Sequence, residues 1–400
     1  MCLMMSFLLL LAFGVAWPAV AQTANNEKEA LETEVRELRK RISVLEQELR
    51  VVEERLSAAA PAPAPTQAVA SEIPSDSQND TKSSLPVDVS GYLSLRYFND
   101  TSSEGVGSFQ AHDVSLFFGK KLGNWRYFSE IEFEYAPGHS AAENSFSSAR
   151  GLVMVETAWL NYTHRDWLKV SSGILLVPTY WRVHHYPSVT LSVQNPLIDK
   201  RIFPADVVGG MVHGSKYFES GGFDYSFYVG NGRGPDPGRK DFDDHKATGG
   251  TFLVHVPNRN FFETLDVGVQ WYRDKLNPLE RENIYGFETR MEKGSHGFLG
   301  EFAHANIGRN DGPSSFFREG FYLQPWYRLS PKVRLFYRYD KLNFDSRFSH
   351  GNDASRHTTG INVRPIPSVS LKLELHRSRS DNQAISGFYG LAAGVALFLQ

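Results

Sequence analysis

From about residue 89 onward, apolar and polar residues alternate in short segments. Val114, Leu116 and Phe118 share one face of the segment 112–121, and Asp113 and Ser115 share the other. After a short turn, the segment 125–135 alternates in the same way. A period of two residues predicts β-strands with one apolar and one polar face.

The order of connections predicts how these strands are arranged. Sixteen segments of this kind lie between residues 90 and 399, and short turns alternate with longer connections such as 99–110, 178–208 and 274–282. Strands that cross a membrane need both neighbours paired, which favours a closed barrel with an even strand number. A soluble β-sandwich or β-propeller is the alternative fold, but the sequence lacks the repeat of about 40 residues that a propeller would show. We predict an all-β transmembrane barrel of 16 antiparallel strands over residues 89–400.

A heptad pattern precedes the barrel. The apolar positions of residues 31–56 follow steps of four and three, and they are Leu31, Val35, Leu38, Ile42, Leu45, Leu49, Val52 and Leu56. Such a seam predicts a parallel α-helical coiled coil over residues 27–56. Isoleucine at a with leucine at d favours dimers. The run from Arg41 and Ile42 to Leu45 and Glu46 instead resembles a signature of trimeric coiled coils, and we predict a trimer.

The remaining N-terminal segments predict a route to the cell envelope. Residues 1–21 are apolar and end in Ala19-Val20-Ala21, as a signal peptide does. An uncleaved inner-membrane anchor is the alternative. Residues 57–88, rich in Ala, Pro and Ser, predict an extended linker, with peptidoglycan contact as a second reading. These segments indicate a bacterial outer-membrane protein with its coiled coil in the periplasm.

Composition narrows the function classes. The chain holds 28 Phe, 17 Tyr and 7 Trp, enough for aromatic girdles in contact with outer-membrane lipid. A net charge of −3 argues against nucleic acid as a partner. No GxSxG motif is present, so we predict no enzyme and no cofactor. Adjacent histidines 184 and 185 have poor geometry for a metal, and the acidic stretch 241–244 lacks a calcium-loop pattern.

Strand alternation assigns charged side chains to the interior of a barrel wide enough for a water-filled channel. The predicted basic wall consists of Arg328, Arg334, Arg338, Arg364 and Lys372. The predicted acidic wall consists of Glu130, Glu132, Glu134 and Glu156. Opposed walls would set a transverse field that orients charged or dipolar solutes. The alternative is a generally polar lumen with no such role.

The longest connection is too apolar for a solvated loop. Residues 178–208 include several large apolar side chains, which predicts that the segment folds into the barrel and narrows the pore. Its candidate constriction cations are Arg182, His184, His185, Lys200 and Arg201.

Short motifs resemble the phosphate-selective porin O and P family and its coiled-coil-bearing, dicarboxylate-type relatives. The motifs are Gly91-Tyr92-Leu93, residues 173–178, Pro196-Leu197 with Phe203-Pro204, and Asn231-Gly232. The resemblance implies a homotrimer of sixteen-stranded barrels. The dense lysine ladder of the phosphate-specific members is not evident, so phosphate specificity is not implied.

These patterns together predict an outer-membrane porin for passive diffusion of small hydrophilic solutes, favouring anions such as phosphate or dicarboxylates. The alternative is a structural anchor that tethers the envelope through the coiled coil.

Overall fold

The computed structural model describes Lys40 and most of the chain from residue 87. The described residues are 40, 87–101, 107–134, 138–140, 145–147, 152–219, 221–233, 240–241, 244–256, 261–309, 315–345, 353–380 and 388–399. Lys40 is helical. The predicted signal peptide, the linker up to residue 86 and the trimer motif Arg41, Ile42, Leu45 and Glu46 lie outside the described residues.

Sixteen antiparallel strands form one closed barrel, as the alternation predicts. The strands are β1 Asp88–Asp100, β2 Ser108–Leu122, β3 Trp125–Glu134, β4 Leu152–Arg165, β5 Leu168–Leu176, β6 Asp206–Phe218, β7 Gly221–Gly230, β8 Ala247–His255, β9 Thr264–Asn277, β10 Glu280–Lys293, β11 His296–Arg309, β12 Ser315–Ser330, β13 Val333–Phe344, β14 Ala354–Val363, β15 Val369–Ser380 and β16 Phe388–Leu399. Each strand pairs with its neighbours in sequence, and β1 closes the ring against β16, with Gly91 opposite Leu399.

The two faces of the barrel differ in chemistry. On β15, Leu371, Leu373 and Leu375 are exposed on the outer face, whereas Lys372 and Glu374 are buried inside. The same alternation recurs around the ring, so large apolar side chains cover the exterior and charged side chains line the interior. This is the pattern that a hydrocarbon environment requires of a barrel. Among the described residues, no helix is long and apolar enough to cross a membrane.

The connections divide the barrel into two ends. We call the end where β2 turns into β3 the turn end, and the opposite end, where β5 leads to β6, the loop end. The tight turns at Gly123 and Gly294 both place glycine at positive φ, near 60° and 57°, where a side chain would be strained.

One predicted long connection is wrong. Instead of a loop over 274–282, β9 runs to Asn277 and β10 starts at Glu280. Asn277 Oδ1 accepts hydrogen bonds from the backbone N–H groups of Leu279 (2.9 Å) and Glu280 (3.0 Å), which closes a tight turn. The charged residues around it suggested a loop, but they occupy the ends of two long paired strands.

Two small elements lie in the long connections and were not predicted. A hairpin of Gly138–Ser140 and Ser145–Ser147 lies between β3 and β4. Helix α1, Tyr180–His184, lies in the connection between β5 and β6, which we call loop 177–205.

Candidate functional site

Loop 177–205 lies inside the barrel, and its apolar side chains are buried against the inner wall. Ile202 is fully buried in a cluster that includes Tyr272 of β9 and Ile284 of β10. Trp181 packs edge-on against Tyr322 of β12, with ring centroids 5.8 Å apart. Burial of these side chains explains why the segment is more apolar than a solvated loop.

Tyr186 of the same loop packs on the other side of the barrel. Its ring lies 5.8 Å from the rings of both Tyr92 on β1 and Phe117 on β2. The loop therefore contacts widely separated parts of the wall, and it crosses the interior.

Wall carboxylates accept hydrogen bonds from the backbone of the loop. The first two N–H groups of α1 are bound by Glu288 (Tyr180 N, 2.9 Å) and Glu301 (Trp181 N, 3.2 Å). Glu374 on β15 binds the N–H groups of Val193 (2.8 Å) and Gln194 (3.2 Å). Asp340 on β13 binds the N–H of Leu197 at 3.1 Å. These bonds satisfy polar backbone groups that the loop would otherwise bury without partners.

Most residues of the predicted basic wall also bind loop 177–205. Arg338 is fully buried and donates to Ser192 Oγ (2.7 Å) and the Gln194 carbonyl (2.9 Å), and it pairs with Asp340 at 3.0 Å. Lys372 donates to Thr190 Oγ1 at 2.7 Å and to the Ser192 carbonyl at 2.9 Å.

The other three predicted basic-wall residues also face inward, and of these Arg364 binds the loop. Arg364 donates to the Val189 carbonyl at 2.8 Å. Arg328 donates to the Gly294 carbonyl at the turn end, at 3.0 Å. Arg334 is half-buried. The side of the barrel that holds these cations also holds Glu374, Asp340 and Glu301, so its charge is mixed.

Part of the predicted acidic wall is also bound to the loop. Glu156 pairs with Arg182 at 2.7 Å and with His185 at 3.3 Å. Burial lowers the pKa of the Arg182 guanidinium, but the carboxylates of Glu156, Asp199 and Asp206 together outweigh this effect, and the pKa lies above its ordinary value. Glu130 accepts a hydrogen bond from the Tyr186 hydroxyl at 3.2 Å.

A small opening of about 40 Å³ remains between the loop and strands β16, β1, β2 and β3. Its cationic lining includes Arg96 and Lys200, and its acidic lining includes Asp113, Glu132 and Glu134. Cations and carboxylates of the same opening provide the source of a transverse field.

The three carboxylates form a tight group. Asp113, Glu132 and Glu134 each place one oxygen within 4.8 Å of the others, a spacing that suits ligands of a divalent cation. Oδ1 of Asp113 and Oε2 of Glu132 are buried and lack a hydrogen-bond partner among the described residues.

The predicted constriction residues are divided among different surroundings. His185 and Lys200 line the opening beside β1–β3, whereas Arg182 lines a smaller recess that Lys200 also borders. His184 stacks on Tyr180 within α1, with ring centroids 4.3 Å apart. Arg201 is exposed beside Lys200.

Lys200 has an unusual backbone. Its φ of 58° is positive, a conformation that costs a non-glycine residue on the order of 1 kcal/mol. Such residues persist where the surrounding structure holds them, often at functional positions.

The residues of the opening that sequence reasoning omitted include Arg96 and Asp113. Both lie on the polar, inward face of their strands, and Asp113 is the cross-strand partner of Glu134. Register between β2 and β3 would have placed Asp113 beside the predicted acidic wall.

Comparisons with known proteins identify the fold. No model of a known protein family matches the chain, and no curated protein matches it. Solved structures of porins do. The anion-selective porin from Comamonas acidovorans has 13% sequence identity and a TM-score of 0.55, covering 78% of this chain and 99% of that one.

Two further structures are similar to this chain. OmpT of Vibrio cholerae, folded in vitro and in a trimer form, has 10% identity and a TM-score of 0.53, covering 78% of this chain and 99% of that one. The outer membrane channel DcaP of Acinetobacter baumannii has 12% identity and a TM-score of 0.50, covering 78% and 97%. The chain has a porin fold. The finer resemblance to phosphate-selective porins stays a hypothesis.

Proposed function

We propose that this protein is an outer-membrane porin that conducts small hydrophilic solutes by passive diffusion. One observation carries the proposal: a closed sixteen-strand barrel with an apolar exterior has a charged interior, which loop 177–205 narrows to a small, charge-lined opening beside β1–β3. Diffusion needs no chemical step, so the proposed channel is not an enzyme and uses no cofactor.

We further propose a preference for small anions such as phosphate or dicarboxylates. Lys200 lines the opening, and Arg201 is exposed beside it on the loop. Arg96 adds a cation from the opposite wall. Asp113, Glu132 and Glu134 act against this preference, so it should be modest.

Planar bilayers test both parts of this proposal. Under a potassium chloride gradient, the reversal potential should indicate that chloride permeates more readily than potassium. Replacing Lys200 and Arg201 with glutamate should weaken or invert that preference. Arg334→Gln, which removes an inward-facing cation from β13, serves as the matched control. A cation preference in the unaltered protein would refute the anion preference and leave the diffusion channel intact.

A structural anchor is the alternative, because the heptad pattern of residues 27–56 would suit a periplasmic tether that contacts peptidoglycan. Single-channel recordings separate the two functions, since a tether with a plugged barrel conducts nothing.

We propose a homotrimer with the turn end in the periplasm and the loop end outside the cell. Trimeric assembly is supported by the trimer motif at Arg41–Glu46 and the porin fold, and short turns are usual on the periplasmic side. Native mass spectrometry of the full chain should give three copies, and a monomer or dimer would refute the trimer.

A further inference from the structure

The outer face of β9–β11 changes from apolar to basic near the loop end. Trp271 and Tyr285 are exposed cross-strand partners on β9 and β10. One outward position closer to the loop end, Arg273 pairs with Asn283, which pairs in turn with Asn306 of β11. Aromatic residues of this kind mark the level of the lipid headgroups. The basic positions therefore begin at or just beyond that level.

The next outward position continues the basic surface. Lys275 of β9 pairs with Arg281 of β10, which pairs with Gly308 of β11. A Cβ atom on Gly308 would meet nothing within 4 Å, so there is open space in front of this position. Arg309 at the end of β11 lies 3.8 Å from Glu280.

Strand alternation separates the acids of this hairpin from its bases. Asp274 and Glu282 lie next in sequence to Arg273 and Arg281, but their side chains are buried inside the barrel. There, Glu282 pairs with Arg318 of β12. On the outer face, Arg273 and Arg281 are exposed and form no ion pair with any carboxylate that the structure describes. Their positive charge is thus left for a partner outside the chain.

The outward residues and Arg309 at the strand end enclose a recess. Its volume is about 480 Å³, and its lining among the described residues consists of three arginines, two asparagines, Tyr285 and Gly308, with no carboxylate. Guanidinium groups bind phosphate oxygens through paired, charge-assisted hydrogen bonds, and asparagine amides add further donors.

We propose that this recess binds a phosphate group of a lipid in the leaflet around the loop end. The inference rests on the proposed function, since a barrel with its loop end outward would face phosphorylated glycolipid there. A lipid is favoured over free phosphate because the recess opens on the lipid-facing side of the strands, directly beyond Trp271 and Tyr285. The site is separate from the lumen and from any solute that passes through it.

Native mass spectrometry of the full chain in detergent tests this proposal. Bisphosphorylated lipid A should remain bound to the unaltered protein, and fully dephosphorylated lipid A should bind about tenfold more weakly, because charge-assisted hydrogen bonds are lost. The double variant Arg273→Gln and Arg281→Gln should lose the same factor. Lys216→Gln is the matched control, because Lys216 is also exposed on the outer face but lies at the turn end.

Three other outcomes would count against the proposed lipid site. Equal binding of both lipids, or unchanged binding by the double variant, would overturn the proposal. If inorganic phosphate alone competes at concentrations similar to those of the lipid, the site is one for free phosphate and the lipid assignment is wrong.

Bilayer recordings keep this inference separate from the proposed function. If the double variant conducts as the unaltered protein does and lipid binding is also unchanged, only the lipid site fails. If the unaltered protein forms no channels, the proposed function fails whatever the lipid measurement gives.

Discussion

Charged residues on the two sides of the lumen are used differently. On the side formed by β10–β15, Arg338, Asp340 and Glu374 are buried and bind loop 177–205. On the side formed by β1–β3, Glu132 and Asp113 line the opening, and each has an oxygen without a hydrogen-bond partner among the described residues. The first side holds the loop in place, and in the proposed channel the second side would act on the solute.

This difference shows why a count of inward charges is a poor guide to selectivity. A cation such as Arg338 that is buried and bonded to Asp340 contributes little field to the opening, because its charge is balanced locally. The residues that matter electrostatically are those that line the remaining space, Lys200 and Arg96 among them.

Arg338→Met should have the largest effect on stability. It removes one partner of a fully buried ion pair and three hydrogen bonds to the loop, and it should reduce the free energy of unfolding by about 3–5 kcal/mol. Denaturation followed by circular dichroism and by gel mobility measures the change. Arg334→Met on the same strand is the control. Equal stability of the two variants would mean that Arg338 does not hold the loop.

Glu374→Gln should have an intermediate effect that is specific to the loop. The variant keeps the side chain's size but weakens two hydrogen bonds to Val193 and Gln194, at a cost of about 1.5–3 kcal/mol. A looser loop should give larger and noisier single-channel currents. Glu132→Gln, on the opposite side of the lumen, should leave the current noise unchanged. Noise that rises equally in both variants would contradict the division between the two sides.

The double variant Glu132→Gln and Glu134→Gln should alter selectivity with little effect on stability. Removal of two negative charges from the opening should shift the reversal potential towards greater anion preference. The shift should shrink between 0.1 M and 1 M salt, because the screening length falls from about 10 Å to about 3 Å. Glu301→Gln is the control, since that carboxylate is occupied by Trp181 N and Tyr322. A shift of equal size in the control would show that lining position is irrelevant.

The sequence predicted the barrel well because alternation is a local signal. The faces of β15 follow directly from the order of Leu371, Lys372 and Leu373, and the apolar character of residues 178–208 correctly indicated burial of Ile202 and Trp181.

The hydrogen bonds between loop 177–205 and the barrel wall could not be predicted from the sequence. Glu374 binds Val193, which is 181 residues away in the sequence, and local patterns carry no information about contacts at such a separation. The tight turn at Asn277 was not predicted, because a run of charged residues looks the same in the sequence when it forms a solvated loop and when it forms the ends of two strands.

The pairing of β1 with β16 has a consequence for how the protein is assembled. Gly91 meets Leu399, so the first strand keeps an open edge until the last strand has been synthesised. An open edge exposes unpaired N–H and C=O groups, which hydrocarbon does not tolerate and which promote aggregation in water. The ring can therefore close only when β16 meets β1, and until then the free edges of both strands need protection from hydrocarbon and from other chains.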